Sequence, residues 1–130
     1  MSDIRPSFLA LFVRDLQTSA RFYAEAVGLP LHRGADNEAP DDPWLAGEHA
    51  SVSFRDGGYF HFALFERAPG SETVRAQLGF SVGDIESAHA RMSAAGARML
   101  HPPRNEAWGT TARYEDPDGN CVSLTQPLRR

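Results

Sequence analysis

Residues 108–124 read WGTTARYEDPDGNCVSL, and their centre, Asp116-Pro117-Asp118-Gly119-Asn120, is written in turn chemistry. Pro117 pre-sets φ at the first turn position, Asp118 can bond its own backbone, and Gly119 can take a positive φ. That pattern suits a type I turn followed by a left-handed residue, joining two antiparallel strands. Thr111 to Glu115 lead into the turn and Cys121 to Thr125 leave it, both rich in β-branched, aromatic or small residues. The stretch is a hairpin, and a hairpin needs a sheet to complete.

Upstream, the chain supplies one twice over. Ser7 to Val13 is a short apolar run that reads as a buried strand. Asp15 caps a helix whose apolar face is Leu16, Ala20, Tyr23 and Val27, widened by Phe22 and Ala26, and Gly28 with Pro30 stops it. Leu29 to Arg33 is a second short strand. Residues 34–47 form an irregular loop with four carboxylates and Trp44. Glu48 to Phe54, Asp56-Gly57-Gly58 and Tyr59 to Phe65 make strand, tight turn, strand. Arg67 to Thr73 is the linker. After it the order repeats: strand from Val74 to Val82, cap at Asp84, helix face of Ile85, Ala88, Met92 and Ala95, stop at Gly96. A short strand from Arg98 to His101, a loop from Pro102 to Gly109 and the terminal hairpin follow.

A βαβββ unit therefore appears twice, module one over about 5–66 and module two over about 74–127. Neither is large enough to bury its own apolar face, so the two are expected to share one domain, residues 1–130, built on a curved mixed sheet. The fold class is α+β.

Composition excludes several roles. A net charge of -4 supplies no basic stripe for phosphates, so no nucleic-acid partner is expected. The mild acidic excess permits a cationic small ligand without demanding one. The single cysteine, Cys121, forms no internal disulfide and fits a reducing compartment. No apolar run reaches membrane-spanning length, and MSDIRPSF lacks a signal peptide's hydrophobic region, so a cytoplasmic protein without a membrane partner is expected.

Paired βαβββ modules, a Val-x-Asp-Leu/Ile helix entry in each half (Val13 to Leu16, Val82 to Ile85), Phe22-Tyr23 and the closing DPDGN resemble the glyoxalase/bleomycin resistance/dioxygenase superfamily, or vicinal oxygen chelate proteins. Within it, Ala107-Trp108-Gly109 ahead of DPDGNCV is most similar to the bleomycin resistance proteins, where a Pro-Trp-Gly loop borders the drug groove. Ala107 replaces that proline. The resemblance implies a concave groove with the helices outside, and a homodimer. In metal-dependent members, four positions on the concave face supply His, Glu or Gln to one divalent ion. The matching residues here are Phe8, Ala63, Gln77 and Ser123. Only Gln77 and Ser123 carry oxygen and neither is anionic, so no metal and no cofactor are expected.

The groove implied is lined by Phe8, His61, Ala63, Gln77, Trp108 and Ser123, with Trp44 and Arg113 at its rim. Bland readings stand beside these. His61 is also an ordinary strand histidine, Trp108 a packing plug, Trp44 a local staple, and the loop carboxylates a solvated surface. Arg113 reads as a surface arginine or an anion contact, Cys121 as a small core residue. A buried Gln77 would need a partner. His32, His49, His89 and His101 show no ligand spacing and receive no role. The first function these residues point to is a metal-free, non-enzymatic protein that sequesters a hydrophobic or aromatic compound. The alternative is a metal-dependent lyase, isomerase, thiol transferase or ring-cleaving dioxygenase. A third is a metal-free enzyme moving protons through Gln77 and His61.

Overall fold

The computed structural model describes residues 6–34, 49–55, 60–67 and 75–128. The chain divides into two compact units, Met1–Ala20 with Leu29–Thr73 and Arg21–Gly28 with Val74–Arg130. The first contains strands β1 (Phe8–Val13), β2 (His32–Gly34), β3 (His49–Phe54) and β4 (Phe60–Glu66). They form a sheet in the order β1-β4-β3-β2, with β1 parallel to β4 and the other neighbours antiparallel. The second contains β5 (Gln77–Ser81), helix α2 (Ile85–Ala94), β6 (Arg98–Glu106), β7 (Gly109–Glu115) and β8 (Cys121–Pro127). Its sheet runs β5-β8-β7-β6, again with one parallel pair, β5 and β8. This is an α+β fold, and the expected repeat is present strand for strand.

The repeat extends to the caps. Helix α1 (Leu16–Arg21) begins where the Asp15 carboxylate accepts from the Thr18 amide at 3.2 Å. Helix α2 begins where Asp84 accepts from the Ser87 amide at 3.2 Å. In each unit the last strand returns a second acceptor. Glu66 Oε1 of β4 takes the Leu16 amide at 3.2 Å, and Gln126 Oε1 of β8 takes the Ile85 amide at 2.9 Å. Two of the free amides that every helix start leaves behind are met in each case. No helix among the described residues is long and apolar enough to cross a membrane.

The first helix departs from the expected single α-helix. At Phe22 it widens into a π-helical segment, Phe22–Val27, which ends when the Gly28 amide bonds the Tyr23 carbonyl, five residues back, at 3.1 Å. Gly28 stops it in the left-handed conformation, φ 94°, as the sequence suggested. The segment belongs to the second unit and buries Tyr23, Ala26 and Val27 there. Arg91 of α2 donates from Nε to the Ala26 carbonyl and from Nη2 to the Val27 carbonyl, at 3.1 and 2.9 Å, so a side chain satisfies the last turn.

Two further corrections concern the second unit. The expected loop 102–109 is largely strand: β6 runs to Glu106 through Pro102 and Pro103. It can, because β6 is an edge strand and the ladder slips between His101 and Arg104, where the prolines sit. In the terminal turn the organising side chain is Asp116 rather than Asp118. Asp116 Oδ1 accepts from the amides of Asp118 and Asn120 at 2.9 and 2.8 Å. Its Oδ2 accepts from Asn120 Nδ2 at 2.8 Å and from the Tyr23 hydroxyl at 2.6 Å. Gly119 takes a positive φ, 86°, as expected. The buried carboxylate is thereby fully engaged, which is what makes its burial tolerable.

Each sheet has an apolar face that is buried along its length, and the first also buries Ala63 and Phe65 on its other face. In the first unit the apolar face is Leu11, Val13, Ala50, Val52, Phe62 and Leu64; in the second, Leu78, Ala112, Tyr114, Val122 and Leu124. Helix α2 packs on the latter, where His89 Nδ1 lies 2.5 Å from the Tyr114 hydroxyl. The candidate site residues stand on the opposite faces.

Candidate functional site

Cross-strand partners share a face and faces alternate along a strand, so the registers place every candidate. In the first unit Phe8 pairs with His61 and Ala10 with Ala63, and Ser51 and Ser53 lie across from Ala63 and His61. Phe8, His61 and Ala63 therefore come together on one face. The Phe8 and His61 rings stack, 5.7 Å between centroids and 11° between planes. Ser53 Oγ lies 2.7 Å from His61 Nδ1.

Two strand steps further on, the same face carries a second row of rings that sequence reasoning missed. Phe12 stacks on Phe65 at 5.7 Å and Phe65 on His49 at 5.1 Å. Between the rows stand Ala10, Ala63 and Ser51, with His32 of β2 beside Ser51. Four residues of strand separate Phe8 from Phe12, about 13 Å. The face thus carries small side chains between two rows of rings; Phe8 and Phe12 are exposed, whereas Ala63 and Phe65 are buried. The signal was available as the two-residue period running Phe8, Ala10, Phe12 and His61, Ala63, Phe65.

In the second unit Gln77 pairs with Cys121 and Arg113 with Ser123, and the alternation puts all four on the face opposite α2. Gln77 is exposed on the edge strand β5, so water can satisfy its amide, and the expectation that it needs a partner falls away. Ser123 is buried, and Cys121 is half-buried rather than a core residue. Trp108 occupies the turn between β6 and β7. It is 57% exposed, which removes the plug reading, and its Nε1 donates to Thr111 Oγ1 at 3.2 Å. Thr111 shares the face of Arg113. Trp44 and the rest of the expected loop, residues 35–47, lie outside the described residues.

Two ion pairs lie on this second face. Arg98 meets Glu115 at 3.3 Å and Arg104 meets Glu106 at 2.7 Å. Arg113 has a buried Nε without a hydrogen-bond partner among the described residues, and so has its cross-strand neighbour His101 at Nε2. His101, on the expected short strand Arg98 to His101, received no role from the sequence because it shows no ligand spacing; the ladder register brings it beside Arg113. Among the described residues no group of three His, Cys, Asp or Glu side chains converges as metal ligands would.

The family model for the Glyoxalase/Bleomycin resistance protein/Dioxygenase superfamily matches residues 5–124. The uncharacterized protein YetH of Bacillus subtilis (strain 168) is 28% identical over 121 residues, covering 91% of this chain and 94% of its own. Among solved structures, TnmS3, an antibiotic binding protein from Streptomyces sp. CB03234, superposes with a TM-score of 0.71 at 26% identity, covering 98% of this chain and 99% of that one. TioX from Micromonospora sp. ML1 superposes with a TM-score of 0.66 at 18% identity, covering 95% of this chain and 99% of its own, a likeness of fold.

Proposed function

Because the chain belongs to the Glyoxalase/Bleomycin resistance protein/Dioxygenase superfamily, we propose that it is a metal-free small-molecule binding protein of the bleomycin resistance type, which sequesters a planar aromatic compound. The observation that carries this reading is the face of the first sheet with its two rows of rings. Flat apolar rings stack on Phe and His faces at centroid distances of about 4.5–7 Å, and Phe8 and Phe12 present exposed rings at the two ends of this face. Side-chain chemistry supports the same reading. Phe8 and Ala63 have no donor atom, and two neutral oxygens at Gln77 and Ser123 are a poor set for a divalent ion. The likeness to an antibiotic binding protein at 26% identity adds to it.

The proposed ligand contacts are Phe8, His61 and Ala63 on the face of the first sheet, with Gln77, Trp108 and Ser123 on the face of the second. The protein is proposed to be a cytoplasmic homodimer, for which sedimentation at the mass of two chains is the check. The acidic loop behind the expectation of a cationic ligand lies outside the described residues and carries no weight here. The test is a thermal-shift and calorimetric screen of EDTA-treated protein against planar aromatic compounds, repeated on Phe8→Ala and Trp108→Ala. Both rings are exposed, 46% and 57%, so truncation should spare the fold. A hit that loses about tenfold in affinity in either variant supports the reading, since a stacked ring is worth on the order of 1 kcal/mol or more. Hits that bind both variants as tightly as the parent count against these contacts.

A further inference from the structure

We infer that Arg113 and His101 form a paired recognition point for an acidic hydroxyl, the phenolic or enolic O–H of a planar ligand. The inference rests on the binding reading above and adds the ligand's polar chemistry to it.

Arg113 is half-buried, carries a fixed positive charge, and has a buried Nε–H with nothing to donate to among the described residues. The carboxylates that share its face are already committed, Glu115 to Arg98 and Glu106 to Arg104. An unpaired, partly desolvated guanidinium is costly, and a ligand oxygen is the natural remaining acceptor.

His101 stands directly across the ladder from Arg113. Its Nδ1 lies 2.8 Å from the Pro102 carbonyl oxygen, which can only accept, so Nδ1 carries the hydrogen. Nε2 is then a lone-pair acceptor, and it too is buried without a partner. One donor and one acceptor on cross-strand partners complement a group that accepts and donates at the same atom. A hydroxyl does both: its oxygen takes the Arg113 hydrogen and its proton goes to the His101 lone pair. A carboxylate has no proton to give that lone pair, and neither has an ether.

The adjoining surface accepts a ring. The Trp108 indole is exposed and anchored on Thr111, one same-face strand step, about 6.8 Å, from Arg113. That step matches a fused two-ring compound whose ring lies toward Trp108 and whose hydroxyl lies toward Arg113.

The experiment uses three matched probes, 2-naphthol, 2-methoxynaphthalene and 2-naphthoate, titrated calorimetrically into the full chain, Arg113→Gln and His101→Leu, with melting curves confirming that each variant folds. The expected result is 2-naphthol binding about tenfold or more tighter than its methyl ether, the worth of a hydrogen bond to a charged group. That preference should shrink to about twofold or less in either variant, while the ether's affinity is unchanged. Equal binding of naphthol and ether by the parent overturns the hydroxyl pair and leaves the aromatic binding reading standing. Tighter binding of naphthoate than naphthol overturns the acceptor role of His101. Absence of binding by all three counts against the pair and the proposed function together.

Discussion

Tyr23 and Asp116 are ninety-three positions apart and share a buried 2.6 Å hydrogen bond, the tie between the end of the first helix and the turn of the last hairpin. Replacing Tyr23 by Phe removes one of four donors from a buried carboxylate while keeping the ring. The expected cost is about 1–3 kcal/mol in denaturant unfolding, the penalty for leaving a buried acceptor short. The same contact has a pH signature. Burial and, next, the Asp116 charge push the Tyr23 hydroxyl's pKa well above its ordinary 10.0. Burial and Glu86 act on Tyr114 in the same direction. A raised folded value means that the unfolded chain releases its proton first. The stabilisation is therefore complete below pH 10 and is lost as pH rises beyond it, for Tyr23 at up to about 1.4 kcal/mol per pH unit. Tyr23→Phe should flatten that alkaline slope; an unchanged slope between pH 10 and 11 would show that Tyr23 does not set it.

At the scale of elements, the two helix starts use the same pair of devices, an aspartate cap and an acceptor from the last strand of their unit. Asp15→Ala and Asp84→Ala are each expected to cost about 1 kcal/mol, a typical cap loss, measured as matched shifts in urea midpoint. A cost confined to one helix would show that the equivalence stops at the backbone. Most of this level was legible in the sequence, because helix stops, caps and strand alternation are local signals: Asp15, Gly28, Asp84, Gly96 and the DPDGN turn lie where they were expected. What was not legible depended on neighbours. The prolines of β6 read as loop residues until the edge position and the slipped register made room for them. The π-helical turn at Phe22 has no local marker, and Asp116 rather than Asp118 holds the turn because Tyr23 and Asn120 reach it. Of the candidate site, Phe8, His61 and Ala63 were found from the resemblance. Phe12, Phe65, His49 and His101 needed the ladder registers to bring them to the same faces.

At the scale of the molecule, a repeated βαβββ unit has been loaded with two different chemistries. The first unit's face carries rings and small residues, the second's carries hydroxyls, an amide and an unmatched guanidinium. The position of Arg113 in the second corresponds, by register, to Ser51 in the first, which lies across from Ala63 as Arg113 lies across from Ser123. Duplication with divergence at face positions leaves the buried faces and caps alike, as function built on sites rather than folds requires. The central claim is that recognition here proceeds without a metal ion. Its most direct test is the metal content, by mass spectrometry, of untagged protein purified from cells supplied with divalent ions. The prediction is occupancy near zero. A stoichiometric ion on each chain would contradict it and would turn the search to lyase, isomerase, transferase and dioxygenase substrates.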